Sequence, residues 1–476
     1  MRQNQEIISV EAFINQLFVK DGGIECIGLA GSEKAYLTSK IVAHHKMSTV
    51  VILPTVKKAE LFLSDSAFFM QHSTIPILYF PPYNILPFKF LAYHSETAAK
   101  RLSALYQLMT FDGPFILVTT IDAVMQKIIP KKEISRFTEL IVENEETDRE
   151  WLIEKLISGG YVHTGIVEEH GDFSVRGGIL DIFSPLYADP LRLEFFGDTV
   201  ESIRFFGAGN QRKIRSVKEA VLLPAKEVIL HRGAIPQIVS RIRSRGSELE
   251  TPVSQVRNII DQIKMGQGFP GIESLIALIY PELDTLFDYL PDKTLPIGVE
   301  PEALEKTANE TTELVTSNYT TSCESGKLCV LPGSLYIEWA KVKEIILNFK
   351  PIMFKALDVI KSENQFNDFP LKFSFGVKTN SDLRSELKNT QAKENLLKPL
   401  ADWIVDKSRT GCTTIVVCRS QAQANRLIAL LSPYGIDPAF MDNFATAQTG
   451  VVSELFNGSR LNIEDPAASC RGLFPR

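Results

Sequence analysis

Short apolar runs alternate with helix-period segments through residues 1–125. The runs at 24–30, 49–54, 75–80 and 115–120 read as buried strands. Segments 33–45, 57–70 and 96–109 read as helices, with Ser95 placed to cap the last. This alternation predicts a parallel sheet covered on both faces. Residues 126–223 change character. Thr147 and Glu150 have capping-box spacing and open a helix that stops at Gly159-Gly160. Long period-two strands follow, predicting a smaller α+β insert closed by Leu222-Leu223-Pro224-Ala225. Residues 224–355 return to helix-rich α/β patterning. A polar linker at 361–367 lies near the start of a small α/β unit at 356–476. There, 413–418 reads as a strand and 421–431 as a helix with Leu427, Leu430 and Leu431 on its apolar side. Residues 466–476 carry no packing period, as expected of a truncated frame.

The insert is the most informative region. Along 191–196, Leu191, Leu193 and Phe195 share one face, and Arg192, Glu194 and Phe196 share the other. An aromatic beside an arginine on the polar face predicts a surface that something covers. Arg192 and Phe196 should project together about 13 Å apart. Gly197-Asp198 reads as a tight turn into the next strand, where Arg204 becomes a neighbour of Glu194. Arg176 precedes Gly177-Gly178, read as a bulge that aims it outward.

Composition narrows the classes. The chain has 476 residues, 45% hydrophobic and 23% charged, with net charge −6. That is an ordinary globular balance, without the basic footprint of an autonomous nucleic-acid binder. Its six cysteines form no Cys-x-x-Cys pair, and the histidines are not at zinc spacing. Reduced thiols and no metal site are expected. No apolar run approaches the ~20 residues of a membrane span. A cytoplasmic protein without a membrane partner is the expectation.

Candidate chemistry is concentrated at 28–35, Gly-Leu-Ala-Gly-Ser-Glu-Lys-Ala, which follows a strand and opens a helix. A phosphate-binding loop reads G-x-x-x-x-G-K-[ST]. Gly28 and Lys34 fit and Gly31 lies inside the loop, but Glu33 replaces the second glycine and Ala35 the magnesium-binding hydroxyl. A carboxylate in the cradle repels phosphate, and its Cβ obstructs the tight approach. A vestigial turn is expected, with no catalytic residues.

The run Gly171-Asp-Phe-Ser-Val-Arg176-Gly-Gly-Ile-Leu-Asp181-Ile-Phe183, followed by Arg192-Leu-Glu-Phe-Phe196, resembles the UvrA-binding domain of bacterial transcription-repair coupling factors. A related form occurs in the excision-repair helicase UvrB. The resemblance implies a degenerate RecA/helicase-like domain, residues 1–125 and 224–355. It would be split by a UvrA-binding insert at 126–223 and followed by the small domain at 356–476. It implies that Arg176, Arg192 and Phe196 contact UvrA. It sets Val299 where a helicase has its metal-binding aspartate, with Glu300 beside it. It also makes Tyr83, Phe88 and Phe90 packing residues rather than base-stacking ones. In the full-length family, ATP and magnesium are bound by motor domains absent from these residues. Those absent domains also engage double-stranded DNA and stalled RNA polymerase. This chain is then expected to dock UvrA and restrain the motor, without cofactor or turnover. An active UvrB-like ATPase and a purely structural or inhibitory domain are the alternatives.

Overall fold

The computed structural model describes residues 7–17, 22–266, 268–357, 369, 371–377, 380–389, 396–412, 414–418, 421–440 and 461–464. The linker at 361–367, residues 458–460, Cys470 and the 466–476 tail lie outside the described residues. Among the described residues, no helix is long and apolar enough to cross a membrane.

The first part supplies β1 (Ile24–Ile27), β2 (Thr49–Leu53), β3 (Ile77–Phe80) and β4 (Ile116–Thr120). β1, β2 and β4 are buried along their whole length, as strands covered on both faces must be. Then come β5 (Glu139–Val142), β6 (Val162–His163), β7 (Asp172–Arg176), β8 (Ile179–Ile182), β9 (Leu191–Phe196), β10 (Thr199–Phe206), β11 (Lys213–Val217) and β12 (Glu219–Leu222). After them, β13 (Leu295–Val299), β14 (Ile352–Lys355) and β15 (Leu371–Ser374) rejoin the first four in one parallel sheet. Its order is β15-β1-β14-β13-β2-β4-β3, so strands from both sides of the insert interleave. β15 comes from residues expected in the third unit, yet it pairs with β1 at the sheet edge. Its Leu-Lys-Phe-Ser run is too short and mixed to reveal that pairing.

One face of this sheet packs Phe13, Leu37, Ile41, Val42 and Phe62. The other merges with the insert's inner face in one continuous core. β5 and β12 form a two-stranded ribbon, and the rest of the insert is a six-stranded sheet in the order β11-β10-β9-β8-β7-β6. A third unit contains β16 (Thr414–Val417), β17 (Ala439–Phe440) and β18 (Leu461–Glu464), paired β16-β18-β17. Its core gathers Ala401, Ile404, Ala424 and Leu431. Leu430 is 48% exposed, so the helix turns only part of its expected leucine stripe inward.

Two helix starts differ from expectation. Helix Ser95–Thr110 is entered from His94 without a side-chain cap, and Ser95 Oγ instead donates to Glu169 Oε2 at 2.9 Å. Helix Arg149–Ser158 is capped by Asp148, whose Oδ1 accepts from Trp151 N–H at 3.0 Å. Asp148 competes successfully with the neighbouring threonine because its carboxylate also complements the helix dipole.

Parts one and two are clamped by buried charge. Arg101 is fully buried, with its guanidinium 4.2 Å from each of the Phe80 and Tyr83 rings. Its Nε donates to Glu227 Oε1 at 2.6 Å, and the Tyr83 hydroxyl donates to the same oxygen at 2.8 Å. Phe88 is buried and Phe90 half-buried, so the aromatics of this segment are packing residues. Both take positive φ (67° and 54°). Phe88 is held there by Ser274 Oγ on its N–H and the Ser322 hydroxyl on its carbonyl.

Candidate functional site

The outer face of the six-stranded sheet is assembled by register. Arg192 lies opposite Asp181 on one side and Arg204 on the other, and Glu194 lies opposite Ile179 and Ser202. Cross-strand partners project on the same face, so these side chains form two adjoining rungs. Leu191, Leu193 and Phe195 point inward and are buried, as the alternation predicts.

Arg192 makes a bidentate pair with Asp181. Nε meets Oδ1 at 2.6 Å and Nη2 meets Oδ2 at 2.7 Å, while Nη2 also reaches Gln211 Oε1 at 3.3 Å. The guanidinium carbon sits 4.5 Å from the Phe206 ring centre. Asp181 is 2% exposed, so it needs the arginine. Its hydrogen bond to Arg192 pushes the arginine pKa upward. Among the described residues, Nη1 of Arg192 makes no hydrogen bond. Next to it, Glu194 accepts from Ser202 Oγ at 2.6 Å and pairs with Arg204 at 2.6 Å. The serine bond, then the arginine, holds the Glu194 carboxyl below its usual range.

Phe196 ends β9 and is 75% exposed. Gly197 follows with φ 62° in a two-residue turn that pairs Phe196 with Thr199. Gly177-Gly178 is also a two-residue turn rather than the expected bulge, because Arg176 pairs directly with Ile179 across it. Gly177 supplies the required positive φ of 59°. Arg176 is exposed, and its Nη2 donates to the Gly165 carbonyl.

The structure therefore brings Arg176 and Phe196 to the same end of the face, beside their two turns. Arg192 stands one rung in from the other end. Sequence reasoning missed two contributors. Asp181 orients Arg192, and Arg149 anchors the Gly177-Gly178 turn. Arg149 Nη1 donates to Gly177 O at 2.6 Å, while nearby Thr147 N–H donates to Asp198 O at 2.7 Å. Asp181 was visible within the motif, but its partner depends on strand register.

The second candidate, the 28–35 loop, is turned in on itself. Gly28 has φ 91°, and a Cβ there would collide with the Phe375 carbonyl oxygen. Glu33 Oε1 accepts from the backbone N–H groups of Ala30 and Gly31. Those are amides that a phosphate would need. Lys34 Nζ donates to Leu29 O at 3.3 Å and lies 3.8 Å from Glu300 Oε1. Burial lowers the Lys34 pKa, with Glu300 and Glu33 opposing the shift. The fold thus brings the loop and the Val299-Glu300 segment together, as their motif positions predict. Ala35 and Val299 are buried apolar groups and offer no metal ligand. Asp65, on the helix Val56–Met70, has its pKa raised to about 6 by burial and then by the Glu33 charge.

The chain is a split parallel α/β domain with a β-sheet insert that carries an aromatic-arginine outer face. Residues 140–228 match the UvrB interaction domain, a span that contains Arg176, Arg192 and Phe196. A transcription-repair-coupling factor of Myxococcus xanthus is 28% identical over 413 residues, 85% of this chain and 34% of that protein. The Haemophilus influenzae and Escherichia coli proteins of the same name are 32% and 31% identical over 267 and 290 residues. Those alignments take in 56% and 60% of this chain, and 23% and 25% of those proteins. The chain is thus similar to transcription-repair-coupling factors over most of its length. It spans about a third or less of the length of these relatives.

Proposed function

We propose that this chain supplies the UvrA-docking surface of a transcription-repair coupling factor, through Arg176, Arg192 and Phe196. The observation that carries this is Phe196, 75% exposed on the same outer face as a guanidinium already fixed by Asp181. An exposed aromatic and a preorganised arginine on one face are usual anchors of an interface. In the whole protein, this docking would serve recruitment of UvrA to a stalled RNA polymerase on double-stranded DNA in the cytoplasm. Cover over the same surface would restrain the motor.

We also propose that this chain turns over no nucleotide. The Glu33 carboxylate on the Ala30 and Gly31 amides, the methyl group of Ala35 and the apolar Val299 support that reading. Magnesium and nucleotide phosphates do not fit this set of donors, and no step is assigned to them. Turnover abolished by Lys34→Ala would overturn it.

The docking test is calorimetric titration of UvrA into the chain and into Phe196→Ala. The expected result is at least a tenfold loss of affinity in a variant with unchanged thermal unfolding. Unchanged affinity would overturn the assignment. Arg192→Ala is a poor first choice, because it strands the buried Asp181 carboxylate.

A further inference from the structure

Away from the sheet face, the helices Lys131–Phe137 and Ile235–Glu248 and the segment 228–231 border an open cleft of about 550 Å³. A second hollow of about 260 Å³ shares Arg136 and His231 with it and runs on past Trp151. The joined groove has no residue in common with the proposed UvrA face.

Its floor is apolar, with Ile229, Ile238 and Tyr280 buried. Lys155 and Arg232 are paired with Glu139 and Glu154, but two further cations, Arg136 and Arg241, have no carboxylate partner among the described residues. Arg136 is exposed and has no hydrogen-bond or ion-pair partner among the described residues. Arg241 donates through Nη2 to Ile279 O at 2.9 Å, but its Nε is buried without a partner. Burial depresses the Arg241 pKa. Glu133 is 3.1 Å from His231, whose pKa is held down by burial and then by Arg136. In the second hollow, Lys155 Nζ lies 4.7 Å from the centre of the Trp151 ring, and Trp151 is 45% exposed.

We propose that this groove docks an acidic peptide segment of a partner protein. An apolar side chain would lie on the Ile229–Ile238–Tyr280 floor, and a carboxylate would meet Arg136 and Arg241. A guanidinium with an unused edge suits a planar carboxylate. The extension past Trp151 suits an elongated ligand better than a compact one. A nucleic-acid strand fits less well, because Glu133 and Glu154 line the same groove and would face a charge at every phosphate.

The test is an array of dodecapeptides in which two acidic and two apolar residues are moved through a neutral background. Basic and neutral counterparts are included, and a labelled twelve-residue oligothymidylate is measured alongside. Retained peptides are then titrated in solution by fluorescence anisotropy. Acidic–apolar peptides are expected to be retained, at least tenfold more weakly by Arg136→Glu and equally by Phe196→Ala. Arg241→Lys keeps the charge but loses the fork, and should weaken binding several-fold with thermal unfolding unchanged. The proposal fails if no acidic peptide is retained, if Arg136→Glu binds equally well, or if the oligonucleotide binds more tightly than any peptide. Because Phe196→Ala acts only on the UvrA face, failure here leaves the docking proposal untouched.

Discussion

The 28–35 loop and the outer face of the insert sheet carry similar side chains with opposite outcomes. In the loop, the charges are satisfied by the chain itself. Glu33 takes the backbone amides, and Lys34 turns to Leu29 O and Glu300. On the sheet, the charges are also paired, but Phe196 is left 75% exposed beside them. A charge facing water costs little, whereas an exposed ring gains only when something covers it. Internal pairing therefore means different things in the two places. In the loop it occupies the groups a ligand would use. On the sheet it fixes Arg192 by one edge and leaves Nη1 directed by that geometry, which lowers the entropy cost of binding.

The largest expected effect tests whether Arg192 is built in as firmly as this comparison requires. Arg192→Ala leaves Asp181, 2% exposed, with its charge unpaired. Breaking such a pair costs about 3 kcal/mol or more. Urea unfolding should show that loss, whereas a change within experimental error would mean that Arg192 is a surface group after all. Phe196→Ala should behave in the opposite way. UvrA affinity should fall by about 2 kcal/mol, the scale of an aromatic hot spot, with urea stability unchanged. A stability loss without an affinity loss would reverse the roles assigned to these two residues.

The contrast was half legible in the sequence. Period-two alternation assigned Leu191, Leu193 and Phe195 inward and Phe196 outward, because a strand has only two faces. The loop was legible too, since Glu33 and Ala35 break the phosphate pattern at known positions. The Arg192–Asp181 pair was not. It depends on the register between β8 and β9, whose connection runs through 183–190 and contains no two-residue turn to set it. Reading Gly177-Gly178 as a bulge also hid the direct pairing of Arg176 with Ile179. The inward fold of Glu33 was beyond sequence reasoning for a related reason. Replacement of a glycine by glutamate announces repulsion of a ligand, but not that the carboxylate becomes the ligand.

Two smaller effects sharpen the loop side. Glu33→Gln weakens the two amide contacts by removing their charge assistance. A loss of about 1 kcal/mol is expected in urea unfolding, because the site is partly open to water. No loss would mean that the carboxylate does not hold the turn.

The subtlest effect is on Asp65. Its pKa near 6, against an ordinary 3.8, arises from burial first and the Glu33 charge second, with Lys34 opposing both. Since the folded state holds this proton more tightly than the unfolded one, the group's stabilising contribution is complete below about pH 3.8. It is lost as pH rises through about 6. Glu33→Gln removes the second cause but not the first, so the midpoint should move down without reaching 3.8. Carbon-13 NMR of aspartate-labelled protein, assigned with Asp65→Asn, reads that midpoint directly. A midpoint that stays near 6 would assign the whole shift to burial. The Glu33 charge would then be quenched by the Ala30 and Gly31 amides before it reaches Asp65, making the loop more self-contained than the comparison assumes.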